Sequence, residues 1–303
     1  MNSTHPITGI LILILSTWAL STLDASGKWV MAAGLSLFFM VWVRYIIHLL
    51  LVLALIVPIK GWGILKAKQP GMQLLRGLVM LLATYSFFTA LSYLPQAEAT
   101  AINFLAPLLM LAAAPWVLHE PPRMSRWVAA VVGFLGVLII IRPNSGLHPV
   151  GVLFGLITAC MFATQFIVTR KVAIDHAMTT LIWSGLVGSV LTTLSLPWVF
   201  SAALPVLVDF SLIDWLALFA TGVFGALGHL LQIQAYQQAP ASLLAPFVYL
   251  QIVSAAGLGW LIWGQFPDAL TWVGILIICC SGITIGIIEW RNAKNVAHKT
   301  TQG

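Results

Sequence analysis

Charge is scarce in this chain. Only 7% of its 303 residues are charged and 60% are hydrophobic, whereas an ordinary soluble domain carries about 25% charged residues. No water-soluble core could absorb that much apolar surface, so lipid must be the solvent for most of it. Cysteine is nearly missing too. Cys160, Cys279 and Cys280 fall inside apolar runs and offer neither a disulfide frame nor a metal-binding spacing; they read as small packing residues. No glycine loop that could cradle a phosphate is present, which argues against direct drive by ATP. No His-Glu-x-x-His or Gly-x-Ser-x-Gly run supports a protease or lipase, and no ladder of arginines supports voltage sensing. The start, Met1 to Pro6, has no Lys or Arg ahead of the first apolar run. A cleaved signal peptide begins basic, so the first run is expected to be retained as a helix.

What the chain has is a series of long apolar runs. A span needs about 20 mostly apolar residues, and ten candidates are present: Ile7–Met31, Leu35–Pro58, Leu74–Tyr93, Ala97–Leu118, Trp127–Ile141, Val150–Val168, Thr180–Phe200, Trp215–Ala235, Leu243–Trp263 and Leu270–Ile288. The fifth is short and flanked by Ser125 and Arg142. Open strands are excluded because lipid cannot satisfy their backbone groups. The connections are too short to hold a soluble domain. The expected fold class is therefore an all-α membrane protein of ten transmembrane helices.

The formal charge is +6. In a membrane protein, excess Lys and Arg mark cytoplasmic loops rather than nucleic-acid binding. With the N-terminus in the cytoplasm, the cytoplasmic ends and loops hold Lys60, Lys66, Lys68, Arg76, Arg123, Arg126, Arg170, Lys171, Arg291, Lys294 and Lys299. The opposite side keeps Lys28 and Arg142, with the acids Asp209, Asp214 and Asp268. Both termini are expected in the cytoplasm, in the cell's inner membrane.

The halves resemble each other. Pro95 and Pro240, Glu120 and Gln265, and Trp127 and Trp272 are each 145 residues apart, and Ala90 precedes Pro95 as Ala235 precedes Pro240. Several matches in one register suggest duplication. A unit of five spans is odd in number, so its copy must sit upside down. Inverted repeats are common in secondary transporters, with the site near the midplane between the halves. The expected organisation is residues 1–145 as one five-helix repeat, 146–290 as the second, and 291–303 as a basic cytoplasmic tail.

The strongest local signal begins at Leu75-Arg76-Gly77. It continues through Ala90-Leu91-Ser92-Tyr93-Leu94-Pro95, Ala97-Glu98-Ala99-Thr100-Ala101, Ala106-Pro107 and His119-Glu120 to Gly133-Phe134-Leu135-Gly136-Val137 and Ile141-Arg142-Pro143. This run resembles the EamA family of the drug/metabolite transporter superfamily, more weakly in the second half. The resemblance implies two inverted five-helix repeats, cytoplasmic termini, and a central cavity lined by both halves. It implies transport of amino acids, nucleosides, vitamins, metallophores or related compounds, often outward. The second half departs from the pattern at Gln265, which stands where the first half has Glu120.

Ionisable groups within spans are costly and usually face a cavity or each other. Asp24 and Lys28 lie four apart on one helical face, as do Arg44 and His48. Asp24 and Arg44 both sit roughly 12–14 Å below the outer surface at 1.5 Å per residue, which makes a contact between them geometrically reasonable. Arg44 could offer a planar fork to a cargo carboxylate, and Asp24 could couple transport to protons. The bland alternative is a buried ion pair fixing helix position, with Lys28 snorkelling to the interface. Glu98 fits either a cavity acid or a helix start, where the dipole favours an acid. His229 could bond a ligand or titrate, or simply bond a neighbouring helix. Asn103, Gln165, Tyr85, Tyr249 and Gln251 are further polar side chains at suitable depth, and Trp18, Trp183 and Trp260 could line a cavity. The candidate substrate or coupling residues are thus Asp24, Arg44, His48, Tyr85, Glu98, Asn103, Gln165, His229 and Tyr249, with no catalytic residue, no metal site and no cofactor.

The function expected is secondary transport of a small polar or amphipathic metabolite, an amino acid or a derivative, by alternating access and as an exporter. Import of a vitamin or nucleoside-type compound is the alternative. A membrane enzyme acting on lipid-linked substrates would need acids or histidines clustered at one interface, and a non-transporting receptor would need longer loops. The partners expected are the small-molecule substrate and the bilayer, no nucleic acid, with the chain as a monomer or homodimer.

Overall fold

The computed structural model describes residues 6–117, 123–142, 145–239 and 241–300. His119, Glu120, Pro121, Pro122, Pro143 and Pro240, which carry part of the internal match and of the family resemblance, lie outside the described residues. Twelve helices are present among those described: α1 (Pro6–Ala32), α2 (Leu37–Lys60), α3 (Pro70–Tyr93), α4 (Gln96–Asn103), α5 (Ala106–Val117), α6 (Met124–Ile140), α7 (Pro149–Lys171), α8 (Ala177–Val208), α9 (Leu212–Gln238), α10 (Ala241–Val248), α11 (Leu250–Trp263) and α12 (Ala269–Thr300). A single 3-10 turn, Trp62–Leu65, joins α2 to α3. Nine described segments are long and apolar enough to cross a membrane; α6, at 17 residues, is the shorter tenth.

Local chemistry sets the helix ends. Pro70 and Pro149 stand in the first turns of α3 and α7, where a missing N–H costs nothing. Ser211 and Asp214 cap α9 reciprocally. Gly264 takes the left-handed conformation that ends α11. α8 runs eight residues beyond the span expected to end at Phe200, and α12 continues as helix to Thr300, through most of the expected tail.

The helices are sorted for lipid. On α6, Val128, Val131, Leu135 and Leu138 are exposed, while Ala129, Ala130, Gly133, Gly136 and Val137 are buried. Large apolar side chains face outward because lipid tails are no worse a solvent than a core, and small residues face inward to let backbones approach. At the α6–α12 crossing the approach is closest. A Cβ built on Gly136 would lie 2.8 Å from the Gly274 carbonyl, and one on Gly274 would lie 2.6 Å from the Gly136 carbonyl.

Packing between the halves falls into matched pairs. α1 packs on α9 as α7 packs on α3; α2 on α9 as α8 on α3; α1 on α10 and α11 as α7 on α4 and α5. The pairs α2–α8 and α6–α12 are their own counterparts, and α4 packs on α11. Each half thus completes its core with helices of the other.

The fourth and ninth runs, expected as spans, are each interrupted. After α4 the amides of Phe104 and Leu105 turn back to Thr100, Ala101 and Ile102 in a tight turn, and Pro107 has no N–H to give the Asn103 carbonyl. Tyr249 interrupts the ninth run, between α10 and α11. Phe104 (φ −67°, ψ −1°) and Tyr249 (φ −67°, ψ −14°) share one local conformation and stand 145 residues apart, the same interval as the prolines. Their rings touch, with centroids 4.9 Å apart.

Candidate functional site

α4 packs on α11, whereas α5 leaves for α6 and α7, and α10 leaves for α1 and α12. The segments beyond the two breaks therefore diverge, and a cavity of about 580 Å³ opens between them. Phe104 and Tyr249 form part of its wall, with Phe87, Phe88, Phe162 and Phe166. From the breaks it extends toward the face that carries the start of α3, the end of α7 and the start of α8, reaching Arg76, Thr169 and Ser184.

The charged groups come from three helices. Asp24 lies about 12 Å below the end of α1 and Arg44 about 10 Å below the start of α2, by helical rise; both line the cavity. The expected contact between them is not made, since no ion pair joins Asp24 and Arg44 among the described residues. Arg44 instead donates from Nη1 to Thr84 Oγ1 at 3.1 Å and lies over the rings of Tyr45 and Phe88, 5.3 and 5.7 Å from their centroids. The second cation is Arg76, expected at the cytoplasmic end of the third span. α3 starts at Pro70, four residues earlier than the apolar run, and this draws Arg76 into the bundle. Its Nε donates to Thr169 Oγ1 at 2.7 Å, and its Nη1 bonds Ser184 Oγ. Two guanidiniums at different depths thus face a single carboxylate across an aromatic-walled space.

Six of the nine candidate residues line this cavity: Asp24, Arg44, Asn103, Gln165, His229 and Tyr249. Asn103 Oδ1 and Gln165 Oε1 are buried acceptors without a partner, free to take N–H or O–H groups from a ligand. The other three stand outside it. His48 packs behind His229, ring edge to face at 6.0 Å. Tyr85 packs on Phe38, 5.2 Å between centroids. Glu98 is buried near the opposite end of the bundle, at the start of α4. Trp18, Trp183 and Trp260 do not line the cavity: Trp18 and Trp260 are exposed on the outer surface, and the Trp183 indole donates to the Leu65 carbonyl. Arg76 was the residue missed. Its signal was the short distance from Pro70, a helix-starting residue, rather than its charge.

The end of the bundle away from the cavity mouth is closed. Lys28 does not snorkel; its Nζ donates to the Leu94 carbonyl at 2.7 Å and to Gln265 Oε1 at 3.2 Å, over the Trp263 ring. Trp29 Nε1 donates to Asp214 Oδ1 at 2.8 Å, and Arg142 pairs with Asp268. Apart from the Lys28–Leu94 bond, each of these contacts ties the first half to the second. At the cavity's own end, Asp175 in the α7–α8 turn accepts from the Lys68 amide at 2.7 Å and from Gln73 Nε2 at 2.8 Å. Among the described residues no cluster of three or more His, Cys, Asp or Glu could hold a metal.

The model of the EamA-like transporter family matches residues 7–142 and 149–287. The chain belongs to this family. Its two matched segments coincide with the two halves of the bundle. The S-adenosylmethionine uptake transporter of Rickettsia bellii is 31% identical over 219 residues, covering 72% of this chain and 73% of that protein. The pseudopaline exporter CntI of Pseudomonas aeruginosa is 28% identical over 281 residues, 91% and 95% of the two chains. The riboflavin transporter of Vibrio cholerae is 26% identical over 297 residues, 96% of each. One crystal structure, 18% identical, shares the fold with a TM-score of 0.62, covering 94% of this chain and 97% of the other. An EamA-like protein with these spans is a multi-pass membrane transporter of small molecules, not an enzyme.

Proposed function

We propose that this EamA-like protein is a secondary active transporter of the inner membrane, exporting a small amphipathic metabolite that bears a carboxylate, an amino acid or a compound derived from one. One observation carries the reading: Arg44, Arg76 and Asp24 share a single aromatic-walled cavity between the halves. Guanidiniums match a carboxylate with a planar fork, Asp24 and the free oxygens of Asn103 and Gln165 suit an ammonium, and the phenyl rings suit an apolar body. A cavity with one closed end is one state of an alternating cycle. The excess of Lys and Arg at the open end supports a cytoplasmic mouth and cytoplasmic termini. Five crossings in each half then make the two halves inverted copies.

Uptake is the second reading. The printed names of relatives include an uptake transporter for S-adenosylmethionine beside an exporter for pseudopaline, so kinship supports either direction.

The test is flux in liposomes holding the purified protein, preloaded with labelled amino acids and amino-acid-derived carboxylates. Saturable release that stops in Arg44→Gln is the expected outcome. Absence of flux across a broad panel, with the protein shown to be folded, overturns the proposal. A reporter active on only one side of the membrane, fused at each end in turn, should read the cytoplasm twice; opposite sides would make the crossings odd in number and remove the inverted pair.

A further inference from the structure

We infer that the outer half of the translocation path runs along the seam between α1, α4 and α11, closed in this structure, and that α4 lines it as an acceptor-rich track for the cationic end of the cargo. This rests on the transport reading above.

The residues sit in register. On α4, Gln96, Thr100 and Asn103 are spaced by four and three, which places them on one helical face. On α1, Thr17, Ser21, Asp24 and Lys28 repeat that spacing, and Gln251 and Ser254 stand three apart on α11. The stripes meet. Gln96 Nε2 donates to the Ser21 carbonyl at 2.8 Å, the Ser21 and Ser254 hydroxyls are 2.6 Å apart, and the Ser254 hydroxyl also reaches the Thr17 carbonyl at 3.3 Å. Asn103 and Gln251, the inner ends of the α4 and α11 stripes, line the cavity, and on α1 Asp24 lines it, between Ser21 and Lys28. The outer end is Lys28, bonded to Leu94 and Gln265. A continuous polar seam therefore leads from the cavity to the closure.

Polar stripes between helices in lipid are expensive unless their groups are paired, and these are not all paired. Of the six buried side-chain atoms without a partner among the described residues, four belong to α4: Gln96 Oε1, Glu98 Oε2, Thr100 Oγ1 and Asn103 Oδ1. Gln96 and Thr100 are 0% and 1% exposed. A fold that needed this seam only for packing would have filled it with Ala or Gly. Three of the four atoms are amide or carboxylate oxygens, which only accept from a donor. The group that complements them is rich in N–H and positively charged, as an ammonium is. The Lys28 ammonium, held on a carbonyl and an amide oxygen at the mouth of the seam, is a tethered example. The cargo's carboxylate on the guanidiniums and its ammonium toward α4 would orient it with its cationic end leading outward.

The test is thiol accessibility from outside the cell, with Cys160, Cys279 and Cys280 changed to alanine and one cysteine placed at Ser21→Cys or Thr100→Cys, or at Gln165→Cys as a cavity reference. Ser254→Cys replaces any seam variant that does not fold. The probes are the impermeant cationic and anionic methanethiosulfonates, MTSET and MTSES. Seam cysteines should react from outside, faster when Lys28→Gln is added. MTSET should be favoured about tenfold over MTSES after correction for their rates with a free thiol, and Glu98→Gln should reduce that preference. Reaction at Gln165→Cys from outside without reaction in the seam leaves transport standing and overturns the seam as its path. Equal corrected rates for the two reagents overturn the cationic track. No reaction at any of these positions, with no flux, overturns the transport reading and this inference with it.

Discussion

Replacing Arg44 by glutamine tests the cavity most directly. A guanidinium has five N–H donors, and Arg44 uses one on Thr84, leaving a fork for a carboxylate. A hydrogen bond to a charged group contributes about 1.5–3 kcal/mol. Losing about 2.7 kcal/mol of binding raises Kd about 100-fold at 1.4 kcal/mol per decade. Folding should suffer less, because the change removes a buried charge that has no ion-pair partner among the described residues. The assay is heat protection by whichever carboxylate-bearing compound stabilises the wild type. At a concentration of about 100 Kd, binding stabilises the folded state by about 2.7 kcal/mol. If Kd rises about 100-fold, the same concentration gives about 0.4 kcal/mol, and protection nearly vanishes. Arg44→Lys keeps the charge without the planar fork and should lie between, about tenfold weaker than wild type. Protection with an unchanged concentration dependence in Arg44→Gln would refute the assignment of the cargo's carboxylate to this side chain.

Gly282→Ala should destabilise the fold by about 1–3 kcal/mol, the usual cost of overpacking, because its Cβ would overlap the Tyr249 phenol; thermal midpoints measure this, and Tyr249→Leu in the same chain should recover most of the loss. The loop acids set the acid limb of stability. The Thr271 amide and hydroxyl, followed by Arg142, hold the Asp268 carboxyl below its ordinary value of 3.8. For Asp175, slight burial pushes upward but the Gln73 and Lys68 donors outweigh it, and its carboxyl is also lowered. A lowered folded value means stability that is fully present above about pH 4, the unfolded aspartate range, and is lost as pH falls through the folded values. Unfolding midpoints measured from pH 6 down to pH 3 should therefore fall less steeply in Asp268→Asn and Asp175→Asn than in the wild type.

Hydropathy made the number and order of spans legible, because a stretch that must satisfy its backbone in lipid has few other forms. The breaks at Phe104 and Tyr249 were only half visible. Pro107 and Pro246 stand inside these two runs, but whether a proline kinks a helix or divides it depends on what packs beside it. Six of nine candidate residues reached the cavity because depth can be counted from helix ends. Glu98 did not, since depth along a helix says nothing of which side of the bundle's closure a residue occupies. Arg76 was hidden by the opposite error: a cation near a helix end looks the same in sequence whether it points to water or inward. The Lys28 and Arg142 contacts join residues 237 and 126 positions apart in the chain, a pairing no local pattern encodes.

The guanidiniums and the carboxylate of the cavity belong to its wall. They stay with the protein while the cargo passes, so only the cargo's own net charge does work against the membrane potential, about 2.3 kcal/mol per charge at 100 mV. A zwitterion carries none. For such a cargo, moving without a co-ion, voltage drops out of the driving force, and the ratio of its concentrations on the two sides alone decides which way it flows.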